Sequence, residues 1–253
     1  MRRVRERVKG WLRGFLPPFL LLRFAAFKRG REARRNAGRT PAEVFAEIYR
    51  KGVWGVERSF DSGAGSSDAS VVGPYIEKLK TELRALGSVK VVDLGCGDFT
   101  VSGQLAGCCA EYVGVDVVPE LIDHLQAKHS GPHARFVCMD IVEDDPPSGD
   151  VCLIRQVLQH LSNKQILKIL SKLDRYATVF ITEHYPADGA SVVYNIDKVQ
   201  GASTRIYQDS GVYLDRPPFN CSGLEMFLEV PDNSGNRLHP GVLRTFRYRP
   251  RMP

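Results

Sequence analysis

The sequence lacks several features that would by themselves indicate a class of protein. It has no uninterrupted apolar run of about 18 residues, which argues against a conventional transmembrane helix. Its six cysteines include no C-x-x-C pair, so a zinc ribbon is not indicated. It also contains no internal repeat. With 253 residues, 43% hydrophobic and 25% charged, the composition excludes collagen, disulfide-stapled miniproteins and wholly disordered chains, and it suits one decorated α/β domain.

The cysteines predict a reduced protein without a disulfide framework. Several of them lie in apolar stretches, as Cys152 does between Val151 and Leu153. A free cysteine in such a place behaves as a small buried hydrophobe. We therefore expect a cytoplasmic location.

Charge is unevenly distributed along the chain. Residues 1–39 hold 13 Lys and Arg against two Asp and Glu, which is +11, whereas residues 40–253 hold 22 against 27, which is −5. The overall charge of +6 therefore belongs to the N-terminal segment. This asymmetry predicts a tail that meets an anionic surface, and it argues against a nucleic-acid groove in the folded body.

Residues 1–39 are predicted to form a basic amphipathic segment. One helical face collects the apolar side chains of Val4, Val8, Trp11, Leu12, Phe15 and Leu16. A basic helix with aromatic residues on its apolar face can lie in a membrane interface, so residues 1–29 predict peripheral contact with an anionic membrane. A solvated arm and a helix packed on the domain are the alternatives.

Residues 40–72 predict a helix followed by a loop. Thr40 and Glu43 form a capping box around Pro41, and Gly52 follows the expected end of the helix. The Ser- and Gly-rich stretch 59–67 reads as a loop. Two interpretations remain open for this loop: a flexible linker, or a lid over a site.

From residue 73 to 253, strand and helix patterns alternate. This pattern predicts an α/β fold: a Rossmann-like, doubly wound, mostly parallel seven-stranded sheet with helices on both faces. The predicted strands are 89–94, 112–116, 135–140, 150–154, 177–182, 226–230 and 242–248. The predicted helical segments are 74–86, 100–106, 119–130, a turn at 156–161, and 163 to about 176. An insertion of about 186–222 interrupts the pattern.

A glycine turn and two acidic residues mark the ends of the first three strands. The run Asp93-Leu94-Gly95-Cys96-Gly97 takes an apolar strand into Gly-x-Gly and a helical start. Asp116 ends the second strand 21 positions after Gly95, where an acid commonly holds ribose hydroxyls. Asp140 ends the third strand. A dinucleotide fingerprint would need a third glycine at Thr100, so a different nucleotide-type cofactor is indicated.

These motifs make the region 73–185 resemble a class I S-adenosylmethionine-dependent methyltransferase. The resemblance implies that Gly95 and Gly97 approach the methionine part of the cofactor and that Asp93 orients it. It also implies that Asp116 takes both ribose hydroxyls, and that Asp140 meets the adenine amino group. We expect no metal. Phe99 departs from the family, which often has a third glycine there. The expected cofactor-binding residues are Asp93, Gly95, Cys96, Gly97, Asp116, Val117, Asp140, Ile141 and Gln156.

Two further segments resemble a bacterial subgroup of these enzymes whose acceptor is unassigned. One is the run of Asp150, Arg155 and His160 followed by Leu-Ser, and the other is Pro217-Pro218-Phe219-Asn220. The Asn-Pro-Pro-aromatic motif of many amino-methylating enzymes does not follow Ile154.

Candidate catalytic residues follow the fourth and fifth strands, where open α/β sheets bind ligands. His160 and His184 titrate in a range suited to a general base, and Arg155 could hold a carboxylate or phosphate of an acceptor. The alternatives are structural: histidines that pack or cap, and an arginine in an ion pair. Two interpretations remain open for the insertion at about 186–222: an ordered cover over the acceptor, or a solvated loop.

The predicted function is methyl transfer from S-adenosylmethionine to an O or N atom of a small-molecule acceptor, which could be linked to a lipid or a glycan. Two other functions stay open. An RNA methyltransferase would use the basic tail as an arm, although the acidic body argues against nucleic acid. A non-catalytic module would keep the cofactor pocket and lack acceptor chemistry.

Overall fold

The computed structural model describes residues 18–55, 60–187, 191–232 and 241–250. The chain divides into two units, Met1–Ala37 and Gly38–Pro253, close to the expected boundary after residue 39. The predicted amphipathic helix at 2–16 lies outside the described residues. In the first unit the structure describes helix α1, Pro18–Asn36, which has Arg34 and Arg35 in its last turn. Across the described ranges, no helix is both long and apolar enough to cross a membrane.

A seven-stranded sheet forms the centre of the second unit. Its strands are β1 (Lys90–Leu94), β2 (Glu111–Asp116), β3 (Ala134–Cys138), β4 (Val151–Arg155), β5 (Thr178–Pro186), β6 (Leu224–Asp232) and β7 (Gly241–Tyr248). Their order is β3-β2-β1-β4-β5-β7-β6, with β1 to β5 parallel and β7 antiparallel to both of its neighbours. This confirms the predicted Rossmann-like, mostly parallel sheet. The strand order reverses between β1 and β4, where such sheets form a ligand crevice.

Helices pack on both faces of the sheet. They are α2 (Pro41–Lys51), α3 (Ala64–Ser67), α4 (Ala69–Leu86), α5 (Pro119–His129) and α6 (Asn163–Leu170). The core on one face buries apolar side chains of α4 and α5, and the core on the other face buries those of α6. Short 3₁₀ turns at Ser102–Gln104, Ala106–Cys108, Leu158–His160, Leu173–Arg175 and Arg205–Gln208 complete the described elements.

The capping box predicted at Thr40 is present, and a second one begins α6. Glu43 N donates to Thr40 Oγ1 and Thr40 N donates to Glu43 Oε2, while Gly52 closes α2 in a left-handed conformation with φ 58°. Ser162 and Gln165 repeat the reciprocal pair at the start of α6. These local signals place helix starts correctly because both partners lie within one turn of the chain.

Three predicted helices differ in extent or type. α4 begins at Ala69 instead of Pro74, because Asp68 caps it through the N–H of Ser70 and the proline is accepted inside the helix. As a result the expected boundary at 72/73 falls within α4. α6 ends at Leu170, well before Tyr176, and a 3₁₀ turn follows. The segment 100–106 forms parts of two 3₁₀ turns, where an α-helix was expected.

Candidate active site

A cleft lies at the carboxyl ends of β1, β2 and β4, at the point where the strand order reverses. Its space, including the open mouth, is about 1090 Å³. All but one of the predicted site residues line it: Asp93, Gly95, Cys96, Gly97, Asp116, Val117, Asp140, Ile141, Arg155, Gln156 and His160. His184 is the exception.

The turn after β1 requires its two glycines. Gly95 and Gly97 have φ values of 80° and 56°, a region that side chains disfavour. A Cβ on Gly95 would stand 2.4 Å from the side chain of Val157, and a Cβ on Gly97 would stand 2.8 Å from Ser62 Oγ. The glycines therefore allow both the turn and the close approach of two covering segments.

Phe99 occupies the place of the family's third glycine and keeps a glycine-like backbone, with φ 62°. Its ring centroid lies 5.1 Å from that of Tyr112, 5.0 Å from that of Phe136 and 5.2 Å from that of His129. A left-handed conformation costs a non-glycine residue roughly 1–2 kcal/mol. Aromatic packing offsets this cost, so the departure from the family changes the side chain and preserves the turn.

Asp116 ends β2 with its carboxylate turned towards the glycine turn. Oδ2 accepts the N–H of Gly97 at 3.2 Å, and Oδ1 accepts the N–H of Val118 at 3.2 Å. Burial raises the pKa of Asp116 to about 6. An ionised carboxylate has about four acceptor positions, so capacity remains for two hydroxyl donors.

Asp140 is held in a tight turn after β3. Its Oδ1 accepts the N–H of Val142 at 2.9 Å, and its own N–H donates to Asp144 Oδ2 at 3.1 Å. Lys172 braces the turn by donating to the carbonyls of Val142 and Asp144 at 2.9 and 2.7 Å. Desolvation raises the pKa of Asp140. The turn thus presents a fixed acceptor beside Ile141 in the cleft wall.

Two more predicted residues are buried at the base of the cleft. Asp93 Oδ2 accepts the hydroxyl of Tyr112 at 2.7 Å, and burial raises the pKa of Asp93. Burial also raises the pKa of the Cys96 thiol well above its usual value. Cys96 is therefore a neutral wall residue and not a nucleophile.

The Ser- and Gly-rich segment covers the glycine turn. Ser62 N donates to Asp98 Oδ2 at 3.2 Å, and Asp98 N donates to Ser62 Oγ at 3.1 Å. A Cβ on Gly65, in the same segment, would stand 2.2 Å from Gln156 Oε1. The segment is therefore hydrogen-bonded to the glycine turn and closely approaches Gln156. That it opens as a lid stays a prediction.

An aromatic wall, formed by Phe45, Tyr49, Trp54 and His160, closes one side of the cleft. The Trp54 ring centroid lies 5.1 Å from that of His160, 5.2 Å from that of Tyr49 and 6.0 Å from that of Phe45. In the sequence, Phe45 and Tyr49 read only as apolar residues of the predicted helix, and a role in the cleft is not apparent. Their spacing of four residues was the only local signal.

His160 is partly buried beside this wall. Its Nδ1 lies 3.1 Å from the carbonyl oxygen of Gly201, and Gln159 Nε2 lies 3.4 Å from its Nε2. Burial, with a contribution from the charge of Lys198, lowers the pKa of His160 to about 3. The ring is neutral at pH 7 and a weak base. Its geometry suits a hydrogen bond better than proton abstraction.

Arg155 and His184 differ in position. Arg155, the last residue of β4, lies in the cleft wall and donates to the carbonyl of Gly65 at 2.6 Å. His184 lies on β5, and its Nε2 is 3.1 Å from Asp232 Oδ2 on β6. The structure thus places His184 beside Asp232 and away from the cleft lining, which corresponds to the structural alternative.

The insertion between β5 and β6 is anchored in its described part. Asn195 is buried, its Nδ2 donates to the carbonyls of Tyr213 and Pro217 at 2.9 and 2.8 Å, and its Oδ1 accepts the N–H of Tyr213 at 2.7 Å. Arg205 is also buried, and it contacts the turn that carries His160. These contacts favour an ordered cover over a solvated loop.

Comparisons with known proteins bear on the fold and on the kind of enzyme. Residues 91–178 match the family model of a methyltransferase domain. No curated protein matches the sequence. Among solved structures, the chain resembles the N-methyltransferase NodS from Bradyrhizobium japonicum WM9 in complex with S-adenosyl-L-homocysteine (16% identity, TM-score 0.55), covering 82% of this chain and 99% of that one. It also resembles a SAM-dependent methyltransferase from Leishmania major (15% identity, TM-score 0.52), covering 79% and 80%.

The match over residues 91–178 and the fold shared with these enzymes support a methyltransferase that uses S-adenosylmethionine as its cofactor. The cleft fits that cofactor: Asp116 retains acceptor capacity at the end of β2, and Asp140 offers an acceptor after β3.

Proposed function

We propose that this methyltransferase modifies an O or N atom of a small-molecule acceptor that binds between the glycine turn and the aromatic wall. The observation that carries the proposal is the continuity of the cleft from Asp116 and Asp140 to Trp54 and His160. The cleft therefore connects the residues expected to hold the cofactor with the aromatic wall. It also supports catalysis over a non-catalytic module, for which a closed or missing acceptor pocket would be expected.

The residues divide between two tasks in this proposal. Asp116 accepts the ribose hydroxyls, Asp140 accepts the adenine amino group, and the glycine turn faces the methionine part of the cofactor. When bound, S-adenosylmethionine supplies a methyl group already activated on a sulfonium, so positioning can provide much of the catalysis. The aromatic wall excludes water, and the neutral ring of His160 is part of that wall. Cys96, Val117, Ile141 and Gln156 shape the walls.

Calorimetric titration with S-adenosylhomocysteine tests the cofactor half of the proposal. Asp116→Asn removes one charged acceptor, and we expect affinity to fall by about 10–100-fold, because hydrogen bonds to a charged group contribute about 1.5–3 kcal/mol. Asp123→Asn, which alters an exposed carboxylate on α5, is the matched control and should bind like the wild type. Equal affinity in all three proteins would contradict the proposed site.

The acceptor half requires an untargeted search. Extracts incubated with the wild-type protein and S-adenosylmethionine should gain a small molecule that is heavier by one CH₂, about 14 Da. The same extract incubated with Asp116→Asn should not gain it. A mass increase found only in RNA would favour the alternative of an RNA methyltransferase.

The N-terminal segment supports a second, spatial proposal: attachment to an anionic membrane surface. The supporting observation is its charge of +11 beside a body of −5. The full chain should sediment with phosphatidylserine vesicles, and high salt should release it from them. A protein that lacks residues 1–37 should not sediment with the vesicles. Phosphatidylcholine vesicles are the control. Salt-dependent RNA binding without vesicle binding would contradict membrane attachment.

A further inference from the structure

Arg155 carries a positive charge in the wall of the cleft without a carboxylate beside it. One Nη donates to the carbonyl of Gly65, and the guanidinium lies 5.0 Å from the ring centroid of Tyr75. Its Nε is buried and has no hydrogen-bond partner in the structure. Among the described residues, no carboxylate oxygen lies within 4.0 Å of a nitrogen atom of this side chain, the distance limit for an ion pair.

The nearest acidic groups are committed to other donors. Asp93, Glu183 and Asp98 act on Arg155 only through longer-range electrostatics. The Asp93 carboxylate accepts the hydroxyl of Tyr112, that of Glu183 accepts backbone N–H groups, and that of Asp98 accepts those of Ser62 and Thr100. Burial lowers the pKa of Arg155, but a guanidinium remains charged at pH 7.

A buried guanidinium with an unsatisfied N–H is poorly stabilised until an anion approaches it. Its planar fork matches the two oxygens of a carboxylate, a geometry that a single ammonium group cannot reproduce. The position also fits a ligand group. β4 lies beside β1, so Arg155 stands near the glycine turn, and Arg155 and Gly95 both line the cleft.

We propose that Arg155 is a carboxylate-binding site for a small molecule held in this cleft, which rests on the proposed methyltransferase function. Two molecules could supply the carboxylate: the amino-acid end of the cofactor, or the acceptor. Arg155 would recognise the carboxylate in the same way in both cases. Ligands that carry or lack the carboxylate distinguish the two sources.

The experiment uses full-length wild-type protein, Arg155→Gln and Arg155→Lys. Arg84→Gln, which removes an exposed charge from α4, is the matched control. Each protein is titrated by calorimetry with S-adenosylhomocysteine and with 5′-methylthioadenosine, which lacks the amino-acid part. If the cofactor supplies the carboxylate, Arg155→Gln lowers the affinity for S-adenosylhomocysteine at least about tenfold. The affinity for methylthioadenosine then stays within twofold of the wild-type value. Arg155→Lys keeps the charge and falls between.

A second arm detects a carboxylate supplied by the acceptor. Benzoate, an aromatic carboxylate, is titrated into protein saturated with S-adenosylhomocysteine while Trp54 fluorescence is followed in a Trp11→Phe background. If the acceptor supplies the group, benzoate quenches saturably, Arg155→Gln abolishes the quenching, and affinity for S-adenosylhomocysteine is unchanged. Either pattern supports the proposal.

Three results would overturn it. The first is that Arg155→Gln leaves the affinity for every ligand unchanged. The second is that it lowers the affinities for S-adenosylhomocysteine and methylthioadenosine equally, which would indicate a packing role. Equal losses in Arg84→Gln would indicate a general charge effect. Failure of the wild-type protein to bind S-adenosylhomocysteine would instead contradict the proposed function, so the two failures are distinguishable.

Discussion

Glu183 and Arg205 hold the same turn of the chain through opposite backbone groups. The Glu183 carboxylate accepts the N–H groups of residues 157–159 at 2.8–3.1 Å. The Arg205 guanidinium donates to the carbonyls of residues 158, 159 and 161 at 2.8–3.3 Å. Both side chains are buried. The turn between them carries His160 into the cleft, so these two residues position the site without lining it.

This arrangement predicts an unusual pH dependence of stability for Glu183→Gln. Burial raises the pKa of Glu183 from 4.5 to about 7, although its N–H partners oppose the shift. The folded state therefore binds this proton more tightly than the unfolded state, and the associated stability is lost as pH rises towards 7. Urea unfolding at pH 5.0, 6.0 and 7.5 should show the stability difference between wild type and Glu183→Gln shrinking with pH. A difference that grows with pH would contradict the raised pKa.

Arg205→Lys should destabilise the protein by roughly 2–4 kcal/mol, because an ammonium group cannot satisfy so many buried carbonyls at once. Hydrogen exchange should accelerate at residues 158–161 more than in β1. Arg216→Lys changes an exposed arginine of the same insertion and should leave both measurements near wild type. Uniform acceleration across the sheet would mean that Arg205 supports the whole fold, and would argue against a local role.

Affinity for S-adenosylhomocysteine should depend on the ionisation of Asp116. Only the ionised carboxylate can accept two hydroxyls, and its pKa in the free protein is about 6. Affinity should therefore be constant above pH 7 and about tenfold weaker at pH 5.0, since each pH unit below the pKa costs about one factor of ten. Asp116→Asn should bind weakly at both pH values, whereas Asp123→Asn should keep the wild-type profile. If the affinity of Asp116→Asn depends on pH as steeply as that of the wild type, the titrating group is a residue other than Asp116.

Phe99 offers a test of backbone strain. Phe99→Ala removes the aromatic contacts and keeps a side chain at φ 62°, so we expect a loss of about 3 kcal/mol. Phe99→Gly removes the same contacts and also relieves the backbone, so it should be about 1 kcal/mol more stable than Phe99→Ala. In most positions glycine is the less stable of the two. Thermal unfolding of both variants gives their order of stability. If Phe99→Ala is more stable than Phe99→Gly, backbone strain at this residue is excluded.

The sequence by itself determined the sheet, the starts of α2, α5 and α6, and the cofactor motifs. Alternating strand and helix patterns, the capping box at Thr40, and the spacing from Gly95 to Asp116 are local signals whose partners lie close along the chain or at equivalent strand ends. Such signals need no knowledge of packing. They were sufficient for the class of protein and for the residues expected to meet the cofactor.

Only the tertiary structure decided which of the remaining polar residues face the cleft. Glu183 and His184 are neighbours on β5, and successive strand side chains point to opposite faces, so Glu183 holds the turn while His184 meets Asp232 on β6. The aromatic wall joins Trp54 to a histidine more than 100 positions later. The unpaired charge of Arg155 likewise depends on which groups surround it after folding. These relationships are non-local, and burial gives them their chemistry.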